Sequence, residues 1–183
     1  MKHILLVLLL LTSLSSFAQI ERAKLQASGL TCSMCSKAVY QALKKVPFVE
    51  AIKANISESS YTITFKKDAV VDFDALGKAV KDAGFSVAKL DLTANFNNVE
   101  VANDKHIQLD GKTFHFLNVN QQTLNGEKTI TLVDKQFVTE KEHNRYSKFT
   151  TMKCFNTGKM DTCCEKNKAA GVTDRVYHVT INT

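Results

Sequence analysis

"SGLTCSMCSKAVYQAL" (residues 28–43) sets two cysteines, Cys32 and Cys35, where an alternating segment gives way to a helical one. Upstream, "AKLQAS" (23–28) alternates apolar and polar residues with the period of a half-buried strand. Downstream, Val39, Leu43 and Val46 share one helical face with Ala38 and Ala42 beside them, and Pro47 stops the helix. A thiol pair at such a junction has three readings: a metal clamp, a redox switch or a small structural disulfide. Its surroundings choose among them.

The chain continues with "EAIKANI" (50–56), which puts Ile52, Ala54 and Ile56 on one side. The polar turn "SESS" follows, and "YTITF" (61–65) returns with Tyr61, Ile63 and Phe65 on one face, so the pair reads as a hairpin. Asp72 is an N-cap for a second helix that turns Phe73, Leu76 and Val80 inward and ends at Gly84. "FSVAKLDL" (85–92) supplies the next strand. Strand, helix, strand, strand, helix, strand is the order of the ferredoxin-like βαββαβ arrangement, an α+β fold with two helices on one face of an antiparallel sheet.

The remaining residues suggest a small β-rich domain with one helix, a barrel or sandwich, with an OB-like barrel among the options. "TANFNN" (93–98) reads as a short linker. "KHIQLDGKTFHFLNV" carries an Asp110–Gly111 turn between alternating segments, which is a hairpin signal. "KTITLVD" and "DRVYHVTI" read as further strands and "TEKEHNRYSKF" as the helix. No Gly-rich phosphate loop, nucleophile elbow or His-Glu-x-x-His motif occurs, so no catalytic residue is assigned. His106, His115, His143 and His178 are scattered, and each reads as structural or surface.

The N-terminus bears on compartment. Lys2, an apolar run from Ile4 to Leu11 and small residues ending at Ala18 have the layout of a secretory signal peptide cut after Ala18. The apolar run is too short to span a bilayer comfortably. The expected organisation is therefore a signal peptide (1–18), a first domain (19–93) and a second (94–183), in a secreted or periplasmic protein with no stable membrane insertion after cleavage. The net charge of +6 is spread evenly along the chain. Without a basic run or aromatic platform it argues for a solvated surface and against nucleic acid as a partner.

"GLTCSMC", followed by a helix, "VEAIKANI", "YTITF" and "DAGFSV", resembles the heavy-metal-associated domain over roughly residues 21–92. That family includes copper chaperones, N-terminal modules of copper-pumping ATPases and exported mercury-binding proteins. Its usual Gly-Met-Thr-Cys opening is here Gly29, Leu30, Thr31, Cys32. The resemblance implies that Leu30 anchors the loop in the core. It also implies that Phe85 packs beside the metal loop, a position that plain core packing explains equally well.

The chemistry of the pair stands beside that resemblance. Two sulfurs at a helix start converge, and the unsatisfied N–H groups there favour the thiolates that bind metal. Lys37 adds positive potential. Two thiolates in a short loop suit a soft ion, copper(I) first, then mercury(II), with zinc(II) if further ligands arrive. Met34, between the cysteines, offers a thioether but is expected to point outward. A thioredoxin-like redox role, the second reading, lacks the expected Trp and downstream cis-Pro loop, since the chain has no Trp and its one proline is Pro47. A third reading makes the protein an interaction module of the cell envelope. The expected function is a non-enzymatic carrier, scavenger or sensor of a soft metal ion, with a metal-transport protein of the envelope as partner.

The sulfur-bearing residues beyond the signal segment fall in two windows: Cys32, Met34 and Cys35, then Met152, Cys154, Met160, Cys163 and Cys164. The second window has two readings. One is a disulfide from Cys154 to Cys163 or Cys164, as an oxidising compartment favours. The other is a second soft-metal site with Met152 or Met160.

Overall fold

A computed structural model describes residues 19–160 and 174–181. Strand β1 (Gln19–Ser28) buries Ala23, Leu25 and Ala27 and exposes Lys24 and Gln26 between them. Helix α1 (Ser33–Lys44) buries Val39 and Leu43, and Pro47 stands three residues past its end. Strands β2 (Val49–Asn55) and β3 (Ser60–Phe65) form the expected hairpin, with Ile52 opposite Ile63. Helix α2 (Phe73–Asp82) is capped by Asp72, whose carboxylate accepts from the Asp74 N–H at 2.9 Å. It ends before Gly84, which takes the left-handed conformation (φ +88°) that a side chain would resist. Strand β4 (Ser86–Val101) completes the unit. In this part of the sheet β1 lies between β3 and β4, antiparallel to both, as the ferredoxin-like order requires.

One face of the hairpin differs from the sequence reading. Ile56 lies in the turn and is 61% exposed, and Ala54 is exposed too. β2 is an edge strand of the sheet, so its alternation has little core to meet.

Past residue 93 the chain neither becomes a linker nor starts a separate barrel. Residues 94–99 are the middle of β4, with Ala94 and Phe96 buried. β4 pairs β1 along one side and β7 (Gln122–Leu132) along the other. Strands β5 (Lys105–Leu109) and β6 (Lys112–Phe116) form the hairpin signalled by Asp110–Gly111. Both turn residues have positive φ, +49° and +68°, as a two-residue turn matched to strand twist needs. Strand β8 (Val176–Ile181) inserts between β7 and β6, antiparallel to β7 and parallel to β6. Among the described residues the result is one eight-stranded sheet in the linear order β2-β3-β1-β4-β7-β8-β6-β5, where a separate small barrel or sandwich was expected. Helix α3 (Glu140–Tyr146) and the short helix α4 (Cys154–Thr157) lie in the connection from β7 to β8.

The boundary expected between residues 93 and 94 falls inside β4, and the core runs across it. A single apolar cluster holds residues from Ile20 to Val179. Its bridge is Phe73 of α2, whose ring lies 6.3 Å from Phe114 on β6 and 5.1 Å from Tyr177 on β8. One turn along, Gly77 faces Phe137: a β-carbon at Gly77 would sit 3.1 Å from that ring, so the glycine lets the two approach. Among the described residues no helix is long and apolar enough to cross a membrane.

Candidate metal centre

Cys32 is the N-cap of α1, in extended conformation, and Cys35 sits in the first turn. The Cys35 N–H donates to the Cys32 sulfur at 3.4 Å, which folds the loop back over the helix start. The two Sγ atoms lie 2.9 Å apart as free thiols, Cys32 exposed and Cys35 partly so. One ion at about 2.3 Å from each thiolate holds the sulfurs up to about 4.6 Å apart, so from 2.9 Å they open by up to about 1.7 Å to take it. The Thr31 hydroxyl is 3.9 Å from the Cys35 sulfur. Hydrogen bonding from Cys32, then from the Thr31 backbone, holds the Cys35 thiol below its ordinary range. No acidic residue occupies the first turn of α1 to oppose a thiolate.

The loop rests on a fixed floor. Tyr61, buried under the helix start, donates its hydroxyl to the Ser36 carbonyl at 3.0 Å. Leu30 and Phe85 pack partly buried against the core, and Phe85 lies beside Gly29, 3.8 Å from where its β-carbon would be. Lys37 is exposed, and Met34 is 69% exposed. The pair thus stands on a rigid base and faces outward.

The second sulfur window is described only in part. Cys163 and Cys164 lie outside the described residues. Cys154, Met152 and Met160 pack together with Val176. Two histidines from the β5–β6 hairpin reach Cys154: His106 Nε2 is 3.6 Å and His115 Nδ1 3.7 Å from its sulfur. Sequence reading left these histidines as scattered, and only their meeting across strands shows otherwise. Burial, then the neighbouring His106 and His178, hold His115 down at about 4, and burial also lowers His106. His143 and His178 have structural places. His143 stacks on Phe155 with ring centroids 4.4 Å apart, and His178 Nδ1 meets Asp134 at 2.9 Å.

The comparisons with known proteins bear on the N-terminal part of the chain. The heavy-metal-associated domain profile matches residues 24–86. The copper chaperone CopZ of Bacillus subtilis (strain 168) is 32% identical over 69 residues, which are 38% of this chain and 99% of CopZ. The chain therefore belongs to the heavy-metal-associated domain family through its N-terminal half. A probable copper-transporting ATPase, HMA5 of Arabidopsis thaliana, is 29% identical over 94 residues, 51% of this chain. The chain spans only 9% of that ATPase's length. Among solved structures, oxidized MerP from Ralstonia metallidurans CH34 is 32% identical over 38% of this chain and 97% of its own, with a TM-score of 0.34.

Proposed function

We propose that this protein is an exported, non-catalytic carrier of a soft metal ion, copper(I) foremost, held between the thiolates of Cys32 and Cys35. The observation that carries the reading is the convergence of two sulfurs, 2.9 Å apart, in an exposed loop on a helix N-terminus. Thiolates are the donors that soft ions prefer, and an exposed pair with few ligands allows a second protein to take the ion by ligand exchange. The copper chaperone among the relatives supports copper as cargo. Mercury(II) shares that softness. Residues 1–18 act as the cleaved signal, residues 19–93 carry the metal-binding unit, and strands β5 to β8 extend its sheet. The partner is a metal-transport protein of the envelope.

Titration of the reduced mature chain with copper(I) against a competing chelator tests this. Cys32→Ser and Cys35→Ser should each weaken binding at this site by at least about 100-fold, since each removes one of two thiolates. The fold should remain, because both side chains lie at the surface end of the loop. Unchanged affinity in both variants, or sustained insulin reduction by the wild type, would overturn the carrier reading. N-terminal sequencing of exported protein should begin at Gln19.

A further inference from the structure

At the far end of the sheet from Cys32 and Cys35, three metal-ligating side chains from three elements meet. His106 comes from β5, His115 from β6 and Cys154 from α4, and their donor atoms all lie within 4.8 Å of one another. We propose that His106, His115 and Cys154 form a second, interior site for one d10 metal ion, copper(I) or zinc(II), independent of the Cys32–Cys35 pair.

The spacing is the first argument. Metal–sulfur and metal–nitrogen bonds of about 2.3 and 2.05 Å at a tetrahedral angle put sulfur and nitrogen about 3.6 Å apart. The two sulfur–nitrogen distances are 3.6 and 3.7 Å. The imidazole nitrogens need to come within about 3.4 Å of each other, a closure of at most about 1.4 Å. Among the described residues β5 is an edge strand that pairs with β6, and His106 on it is half-buried.

The second argument is how His115 is held. Its Nε2 lies 2.9 Å from Asp104 Oδ1, so a neutral ring donates that N–H to the carboxylate and turns the Nδ1 lone pair toward Cys154. A carboxylate behind a histidine ligand fixes tautomer and orientation and strengthens the donor, as metal sites commonly require. The His106 ring stacks on His115 at 4.2 Å between centroids, which keeps both donors on the same side.

Charge and access set the ligand class. One thiolate and two neutral imidazoles neutralise copper(I), and Asp104 offsets the extra charge of zinc(II). Cys154, His115, Asp104 is also the order of a nucleophile, base and orienting group. Cys154 and His115 are fully buried, however, so an acyl substrate cannot reach the sulfur, whereas an ion entering past half-buried His106 can. Met152 and Met160, packed around Cys154, make the wall apolar and soft. The two sites are separate: β1 and β6 are four strand steps apart, about 19 Å across the sheet.

The test uses the mature chain with both Cys32→Ser and Cys35→Ser, kept reduced, so the outer pair is silent. It is titrated with cobalt(II) as a coloured surrogate for zinc(II), and with copper(I) against a chelator. One equivalent of at least one ion should bind, cobalt with a thiolate-to-metal charge-transfer band. Cys154→Ser should abolish that band and His106→Gln should weaken binding by at least about 100-fold, more than loss of a supporting group does. Asp104→Asn should weaken it by about 10–100-fold at unchanged stoichiometry. His106 lies on an edge strand, so His106→Gln is expected to fold, and circular dichroism of each variant checks it. Nitrogen-15 spectra should show His106 and His115, and not His143, shifting on loading. No bound ion, or binding unaffected by Cys154→Ser and His106→Gln in folded protein, would overturn the site.

Discussion

Cys35 illustrates how much one contact can set. Its thiol is held below the ordinary value of 9.0 mainly by hydrogen bonding with the Cys32 sulfur, then with the Thr31 backbone. A lowered thiol pKa means more thiolate at neutral pH, and the thiolate is both the metal ligand and the nucleophile. Iodoacetamide labelling against pH, followed residue by residue by mass spectrometry, should give Cys35 a midpoint below 9.0. Cys32→Ala should move that midpoint upward. A midpoint that stays in place would mean the sulfur–sulfur contact contributes nothing.

Among the elements, the β5–β6 hairpin combines a simple local cause with a distant effect. Its turn places Asp110 and Gly111 at positive φ, and nothing lies within 4 Å of a β-carbon added at Gly111. Gly111→Ala should therefore cost about 1–2 kcal/mol by backbone conformation alone, without a steric clash. Urea denaturation measures that loss. Because the turn holds His106 opposite His115, the same variant should also weaken ion binding at the interior site while leaving the Cys32–Cys35 site as it was. A substitution with no effect on stability would show that the hairpin does not need its turn.

For the whole molecule, the two halves are joined by core and by charge. Arg175, just before β8, makes a two-pronged pair with Asp74 of α2 at 2.8 and 3.0 Å and reaches Asp134 at 3.0 Å. Asp134 in turn accepts from the His178 backbone N–H and meets its ring, both at 2.9 Å. Burial alone would raise the Asp134 carboxyl, but His178 and Arg175 outweigh it and hold it below 3.8. A depressed carboxyl stabilises the fold fully above the unfolded value, and that contribution is lost as pH falls below about 3.8. Asp134→Asn should lower stability by about 2–3 kcal/mol at neutral pH, as loss of charged hydrogen bonds does, and flatten the acid limb of the profile. A wild-type acid limb reproduced in full by the variant would exclude this carboxylate as its source. Phe73 packs on Phe114 and Tyr177, so Phe73→Ala should cost about 3–5 kcal/mol. It should shift a single unfolding transition seen alike by near-UV and far-UV circular dichroism. Two separated transitions would show that the halves unfold independently.

The sequence by itself determined the features whose causes are local. The alternation of β1, the apolar face of α1, the Asp72 cap, the Gly84 stop and the Asp110–Gly111 turn each depend on neighbours a few residues away. So does the Cys32–Cys35 pair, because residues three apart at a helix start are brought together by the helix itself. The exposure of Ile56 and the continuation of β4 through residues 94–99 depend on which strands lie alongside, which the alternation of a single segment does not encode. The interior cluster lies furthest from local reading. Cys154 stands 48 residues from His106 and 39 from His115. These donors meet because β8 inserts beside β6 and the connection ahead of it lays α4 over the β5–β6 hairpin, a choice made by sheet pairing and the burial of a shared core.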